Sequence, residues 1–349
     1  MACRPEFRTM RYGPSETCLT SRSWKPQKAH AKKESWRNLA EIKSEQTAAD
    51  SHQGRRRQID RDFAGTECVG NNMDLKILQE TPPWDWPRDA GKMFQEILID
   101  HQAKETDRVI AAELAGDLTV INDELANALT AIIRCPDEPE QLRATAAIAL
   151  GPVLEQAETD GFEDPDDVMP ITQRTFRNIQ DWLQKLHFDN SIPKEVRRRI
   201  LEASVRAPEV WHQNAIRAAY SSGDKEWILT AMFSMRWIRG FDEQILEGLK
   251  SGDAEIQCEA IQAASNWELD AAWSHILALV RDPATPKSLL LPAIVAVASI
   301  RPAEAQSLLV DLADSDDEEI AEAVDEAIGM AEAVSDEEGD EEVGSEWTN

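Results

Sequence analysis

A helical stripe returns along this 349-residue chain at intervals that settle close to thirty, and that period restricts the possible folds more than any other feature. Each copy opens on a residue suited to starting a helix. A bulky apolar residue comes three positions later, usually a small or apolar one four further on, and another three beyond that. The copies are Pro139/Leu142/Ala146/Ala149, Pro193/Val196/Ile200/Ala203, Asp224/Trp227/Ala231/Ser234, Asp253/Ile256/Ala260/Ala263, Pro286/Leu289/Ala293/Ala296 and Asp317/Ile320/Val324/Ala327. Their starts are separated by 54, 31, 29, 33 and 31 residues. Steps of three and four place the marked positions on one face of a helix. A single hairpin cannot bury such a face alone, whereas neighbours stacked at a fixed period bury a continuous core, which is the logic of a helical solenoid.

Helix pairs can be assigned around these stripes: 90–103 with 105–115, then 122–134 with 138–157. After a longer interval the stripe-bearing helices are expected at 194–206, 225–238, 254–266, 286–299 and 318–332. Their partners fall near 209–221, 241–249, 269–280 and 303–313. Asp224, Asp253 and Asp317 are suited to accept from otherwise unpaired N–H groups at helix starts, and Asp316 with Glu319 has the spacing of a capping pair. Pro292 should bend its helix and remove one backbone bond. The 54-residue interval exceeds one period by about 23 residues and marks an insertion, which in repeat proteins collects on one face. It holds an acidic loop over 160–167 and a helix over 170–186 whose Phe176, Ile179, Leu183 and Leu186 face the core. Residues 81–87, Thr-Pro-Pro-Trp-Asp-Trp-Pro, are conformationally restricted by their prolines. Trp84 and Trp86 are expected to cover the open end of the first repeat, with peptide docking as the other reading.

The run Leu142-Arg143-x-x-Ala146-x-x-Ala149-Leu150-Gly151 resembles the second helix of a HEAT repeat, and Val196-Arg197-x-x-Ile200-x-x-Ala203 is a partial second match. An echo, residues 111–116, precedes the first by 35 positions. Later copies lack the Arg after the apolar anchor, with Asp224, Lys225 and Gln257 around the equivalent places, so armadillo-like repeats stay open. The resemblance covers about 90–333. It implies an all-α, right-handed α-solenoid of about seven HEAT-like helical hairpins from roughly 88 to 333 that binds proteins, and it points to no partner and no catalytic residue. The expected organisation is a disordered basic segment at 1–72, a Pro/Trp-rich cap segment at 73–89, the repeat domain at 90–333 and a disordered acidic tail at 334–349. For 1–72 three readings compete: a transit peptide, a basic binding arm, or translated upstream sequence with the working protein starting at Met73.

Net charge is −28 and unevenly placed: 14 basic against 9 acidic side chains in 1–72, and 23 against 56 in 73–349. An acidic body lacks the Lys and Arg that release counterions from nucleic acid, and anionic membranes repel it. It attracts basic partners, or serves solubility alone. The expectation is therefore a basic protein partner, no nucleic acid and no membrane, with the oligomeric state not legible. Cysteines 3, 18, 68, 135 and 258 form no CxxC pair. They point to free thiols in a reducing compartment and hence to a cytoplasmic protein. Arg4, Arg8 and Arg11 interrupt any secretory apolar run, and the most apolar stretch, 288–300, is too short to span a bilayer.

Catalytic motifs are missing: no HExxH, GxGxxG, P-loop or GxSxG, and no His pair at metal-ligand spacing. No cofactor, metal or catalytic residue is assigned. Trp211 with Arg217, Trp237 with Arg236 and Arg239, and Arg198 within the basic run 194–199 are the candidate partner-binding residues, since Trp and Arg dominate interface energetics. Core packing of the tryptophans and a solvated basic face are the competing readings. The expected role is a non-enzymatic scaffold or adaptor. The alternative is an accessory enzyme acting on a protein-bound substrate, similar to the HEAT-like phycobilin lyases; HEAT-like DNA glycosylases share the Trp content but use a basic groove, which the acidic body does not offer.

Overall fold

The computed structural model describes residues 75–163 and 169–344, with side chains up to 333. The basic segment 1–72 therefore lies outside the described residues. The described part is all-α and divides into two compact units, one ending at Thr230 and one beginning at Ala231.

In the first unit, α1 (Leu75–Glu80) and a short 3-10 turn (Pro83–Asp85) lead into three helix pairs: α2 (Ala90–Ile99) with α3 (Glu105–Leu114), α4 (Asp123–Arg134) with α5 (Glu140–Ala149), and α7 (Gln173–Phe188) with α8 (Lys194–Ser204). α6 (Gly151–Asp160) is inserted between the second and third pairs, and α9 (Val210–Tyr220) follows. The helices form two rows: α2, α4 and α7 pack in series, as do α3, α5 and α8. The stripe residues Leu142, Ala146, Ala149, Val196, Ile200 and Ala203 are all buried between them, joined by Phe94, Leu129, Ile133, Ile179 and Leu183. Small residues at the stripe allow close approach. A Cβ on Gly116, just past α3, would lie 2.8 Å from Ala149 Cα in α5.

α10 (Lys225–Met235) carries the division between the units. In the second unit α11 (Asp242–Gly248) pairs with α12 (Ala254–Asn266), α13 (Trp273–Arg281) with α14 (Lys287–Ile300), and α15 (Pro302–Ala313) with α16 (Glu318–Gly344). α12, α14 and α16 pack in series, burying Ala260, Ala263, Ala293, Ala296, Val324 and Ala327. The starts expected for the stripe-bearing helices fall within two residues of those found, and the helix pairs are those of a right-handed α-solenoid of HEAT-like repeats. α16 continues through positions 334–344 of the acidic C-terminal stretch.

Three bonding patterns repeat along the chain. Arg108, Arg143 and Arg197 each donate to the carbonyl ten residues earlier, at Leu98, Ile133 and His187, closing the C-terminal end of the preceding helix. This gives the Arg of the HEAT-like run its physical role, and Gln257 substitutes for it with an amide bond to Leu249 O (3.1 Å). A second pattern is Ser-x-Asp. Ser222, Ser251 and Ser315 accept from the N–H of Asp224, Asp253 and Asp317, and each Asp in turn caps its helix. The third spans one period: Lys194 reaches Asp224 and Glu226, and Lys287 reaches Asp317 and Glu319. Arg108 and Glu138, also 30 apart, form a buried two-bond pair at 2.6 and 2.8 Å.

Some expectations are corrected. The single helix over 138–157 is two, α5 and α6, broken at Leu150. Pro152, in the first turn of α6, starts a helix well because the N–H it lacks would have no partner there. As expected, α14 runs through Pro292, and the carbonyl left without a donor belongs to Ser288, an exposed residue. Trp86 does close the first repeat, edge-on to Phe94 at 5.4 Å and bonded to the carbonyls of Leu78 and Thr81, whereas Trp84 is 61% exposed. Cys135 is a free thiol.

Candidate interaction surface

The candidate residues fall into two groups on either side of the division: Arg198, Trp211 and Arg217 in the first unit, and Arg236, Trp237 and Arg239 in the second.

Trp211 stands at the centre of a cluster of rings. α7 ends with His187 and Phe188, and α9 begins with Val210, Trp211 and His212. The Trp211 ring contacts Phe188 at 5.5 Å, His187 at 5.3 Å and His212 at 3.9 Å, and His187 meets Trp227 edge-on at 6.1 Å. Local bonding fixes the orientations. Trp211 Nε1 donates to Glu209 Oε2 (2.8 Å), and the Glu209 N–H donates to His212 Nδ1 (2.8 Å). The other His212 nitrogen therefore carries the proton and donates to Ser204 Oγ (3.0 Å), which itself donates to Leu201 O. His187 Nδ1 donates to Arg197 O, and Arg197 Nε returns a bond to His187 O. Burial pushes His187 down to about 4. Burial, with the neighbouring His187, pushes His212 down to about 3. Both imidazoles are neutral at pH 7 and act as apolar plates.

Two apolar residues at these helix ends are left exposed. Phe188 is 53% exposed and Val210 94%. A side chain fully in water at a helix start, beside a buried tryptophan, loses contact area that an apolar neighbour would restore. Val210, Gln213, Asn214 and Arg217 are all exposed and follow a 3-4-7 spacing, so they share one face of α9. Trp211 itself is mostly buried and presents only part of its ring.

Arg198 is buried within its own repeat pair. Its guanidinium bonds Glu195 (2.6 Å) and Thr230 Oγ1 (3.0 Å), and Thr230 donates on to Glu202. Arg199 bridges Glu195 and Glu202. In the second unit Arg236 and Trp237 are buried; Arg236 faces Glu259 and the Phe233 ring. Exposed Arg239 lies 4.3 Å over the Trp267 ring, and Trp267 Nε1 donates to Met235 O. Two residues at the first surface, Phe188 and Val210, were missed by sequence reasoning because neither follows the Trp/Arg pattern.

A recess of about 440 Å³ lies elsewhere in the first unit, lined by Asn122, Asp123, Phe162, Met169 and Thr172. In it Asp123 accepts from Thr172 N–H and Asn122 caps α4. Among the described residues no group of three or more His, Cys, Asp or Glu is placed to hold a metal, and no helix is long and apolar enough to cross a membrane.

No family model matches the chain, and no curated protein sequence matches it. Two solved structures show a distant similarity to the chain. Human deoxyhypusine hydroxylase in complex with glycerol is 17% identical, with a TM-score of 0.34 over 72% of this chain and 87% of that one. YibA of Escherichia coli is 16% identical, with a TM-score of 0.41 over 80% of this chain and 97% of that one.

Proposed function

We propose that this chain is a non-enzymatic protein-interaction scaffold of the cytoplasm whose partner docks on the end of α7 and the first turn of α9. The observation that supports this most is the near-complete exposure of Val210 at the start of α9 together with the exposure of Phe188, at the end of α7 against the Trp211 ring. A preformed apolar edge loses little conformational freedom on binding, and aromatic anchors of this kind concentrate interface energy. The acidic balance of 73–349 steers basic proteins toward it. The test compares proteins captured by the full chain with those captured by Val210→Asp, with Val310→Asp, an exposed apolar position on α15, as control. A partner captured stoichiometrically by the native chain and the control, but lost with Val210→Asp, supports the reading. Capture unchanged by Val210→Asp overturns it.

A further inference from the structure

In a body dominated by acids, α4, α5 and α7 carry cations that the fold leaves without carboxylates. α7 turns a face of Arg174, Arg177, Asp181 and Lys185 to water, spaced 3-4-4. Arg134, the last residue of α4, lies 3.5 Å over the Trp182 ring, and the Lys185 ammonium lies 5.1 Å from the same ring. Two positive charges are thereby held on one indole, where they repel each other. Each stands in the last turn of its helix, where the backbone dipole favours a cation, so no acid is needed to keep it there. At the same turn, buried Arg143 donates through Nε to Ile133 O, the peptide that joins Arg134, and its Nη2 has no partner among the described residues. The equivalent Arg108 pairs with Glu138, the residue before Pro139; the residue in that place before Pro193 is Ile192. Among the described residues none of Arg134, Arg143, Arg174, Arg177 and Lys185 forms an ion pair, and neither does Asp181, the one acid on the α7 face. Arg301 makes the contrast: it lies over Trp273 and also pairs with Asp270 and Glu304.

We propose that this α4–α7 face binds a carboxylate-rich protein segment, with one Asp or Glu on Arg134 and Lys185 and a second further along α7 at Arg177. This goes beyond the docking surface at Val210 and does not depend on it. A guanidinium over an indole keeps its N–H donors in its own plane, open to a carboxylate, and it is in place before binding, so little freedom is lost. An anion shared by Arg134 and Lys185 relieves their repulsion and gains charge-assisted hydrogen bonds. Arg177 and Lys185 are about 12 Å apart along the helix, a distance that an extended segment spans in about four residues. The chain as a whole repels acids, but at physiological ionic strength charges beyond about 8 Å are largely screened, so a short segment meets the local excess. A nucleic acid needs a longer basic track and would run off this face onto the acidic body.

The test titrates fluorescein-labelled short Gly/Ser peptides, each carrying two Glu at varied spacing, into the full chain and follows fluorescence anisotropy. A matching series carries Gln instead, and an oligouridine RNA of similar length probes the other polyanion. Saturable binding is expected for some Glu spacings and for no Gln peptide, and added salt should weaken it. Arg134→Gln with Lys185→Gln should weaken it about tenfold or more. Asp181→Asn, which removes the one acid from the face, should strengthen it about threefold. Lys92→Gln, at an exposed lysine on α2, should leave it unchanged. Circular dichroism checks that each variant is folded. Binding indifferent to the Arg134 and Lys185 changes, or weakened equally by Lys92→Gln, overturns the site. RNA binding that is tighter than that of the Glu peptides and lost with the same variants overturns the assignment of a protein segment. Failure of every Glu peptide to bind overturns the inference.

Discussion

Replacing Gly116 by Ala tests whether close helix approach, rather than backbone freedom, requires glycine at the end of α3. The φ of Gly116 is not in the left-handed region, so alanine is permitted there conformationally. The obstacle is space. The added Cβ would stand 2.8 Å from Ala149 Cα and 2.9 Å from its carbonyl carbon, with the carbonyl oxygen nearer still. Those are backbone atoms of the last residue of α5 and cannot rotate aside, so α3 and α5 must separate and loosen the core around Ala112, Ala146 and Leu150. Overpacking commonly costs about 1–3 kcal/mol, and a clash with backbone belongs at the upper end. The entropic gain from Gly to Ala returns about 0.4–1 kcal/mol, leaving a net loss of about 2 kcal/mol. Gly329 in α16 is the matched control: nothing lies within 4 Å of its added Cβ, and removing a helix-interior glycine should stabilise by about 1 kcal/mol. Urea unfolding followed by tryptophan fluorescence and far-UV circular dichroism reads both. With a slope of about 3 kcal/mol/M, Gly116→Ala lowers the midpoint by about 0.7 M and Gly329→Ala raises it. Equal shifts of the same sign, or a change at Gly116 below about 0.5 kcal/mol, would refute the packing argument.

Arg108→Met should destabilise by about 3–5 kcal/mol, because it leaves Glu138 charged and buried, and Arg108→Met with Glu138→Gln should recover part of that loss in the same urea assay. Gln257→Ala should cost about 1 kcal/mol through the lost bond to Leu249 O, whereas Gln257→Arg, which supplies the side chain used at 108, 143 and 197, should cost less than the alanine change by thermal melting. Stability should fall in mild acid. His187 and His212 are held neutral, with folded values of about 4 and 3, so below about pH 6.5 the unfolded chain takes protons first. The contribution is whole above that pH and is lost progressively as the pH falls toward the folded values, by up to about 3 kcal/mol for His187. Unfolding measured at several pH values should show a flatter profile for His187→Asn, and equal slopes in the two proteins would count against the neutral-imidazole reading.

The repeat was legible because its signal is redundant. A 3-4-3 stripe recurring at one period, with Pro or Asp at each start, fixes where the packed helices begin even where single residues depart from the pattern. Redundancy also hid information. The Ser-x-Asp turns at 222, 251 and 315, and the Lys-to-Asp-x-Glu relation from 194 to 224 and from 287 to 317, stood in the sequence as regularly as the stripe. They passed unread because a charged residue has no preferred face until its partner, a whole repeat away, is known. The break between α5 and α6 was missed for a related reason. The apolar period runs on across Leu150, and only Gly151, suited to a bend or helix end, and Pro152 mark the interruption.

The surface was less legible, and the obstacle is chemical. Trp beside Arg reads as an interface from composition, yet the same pair satisfies itself within a repeat stack. Arg134 lies 3.5 Å over Trp182, Arg197 5.6 Å over Trp227, Arg239 4.3 Å over Trp267 and Arg301 5.4 Å over Trp273. A guanidinium on an indole face is weakly hydrated and gains where it already lies, so these pairs can hold helices together without any partner. What distinguishes the α7–α9 edge is the reverse condition. Val210 and Phe188 are apolar side chains left exposed at the helix ends. Exposure is a property of the neighbourhood, set by which residues the packed helices leave uncovered. It could be seen only once the helices were in place, and for that reason variants at Val210 and Phe188 discriminate between scaffold surface and inert face better than variants at any of the tryptophans.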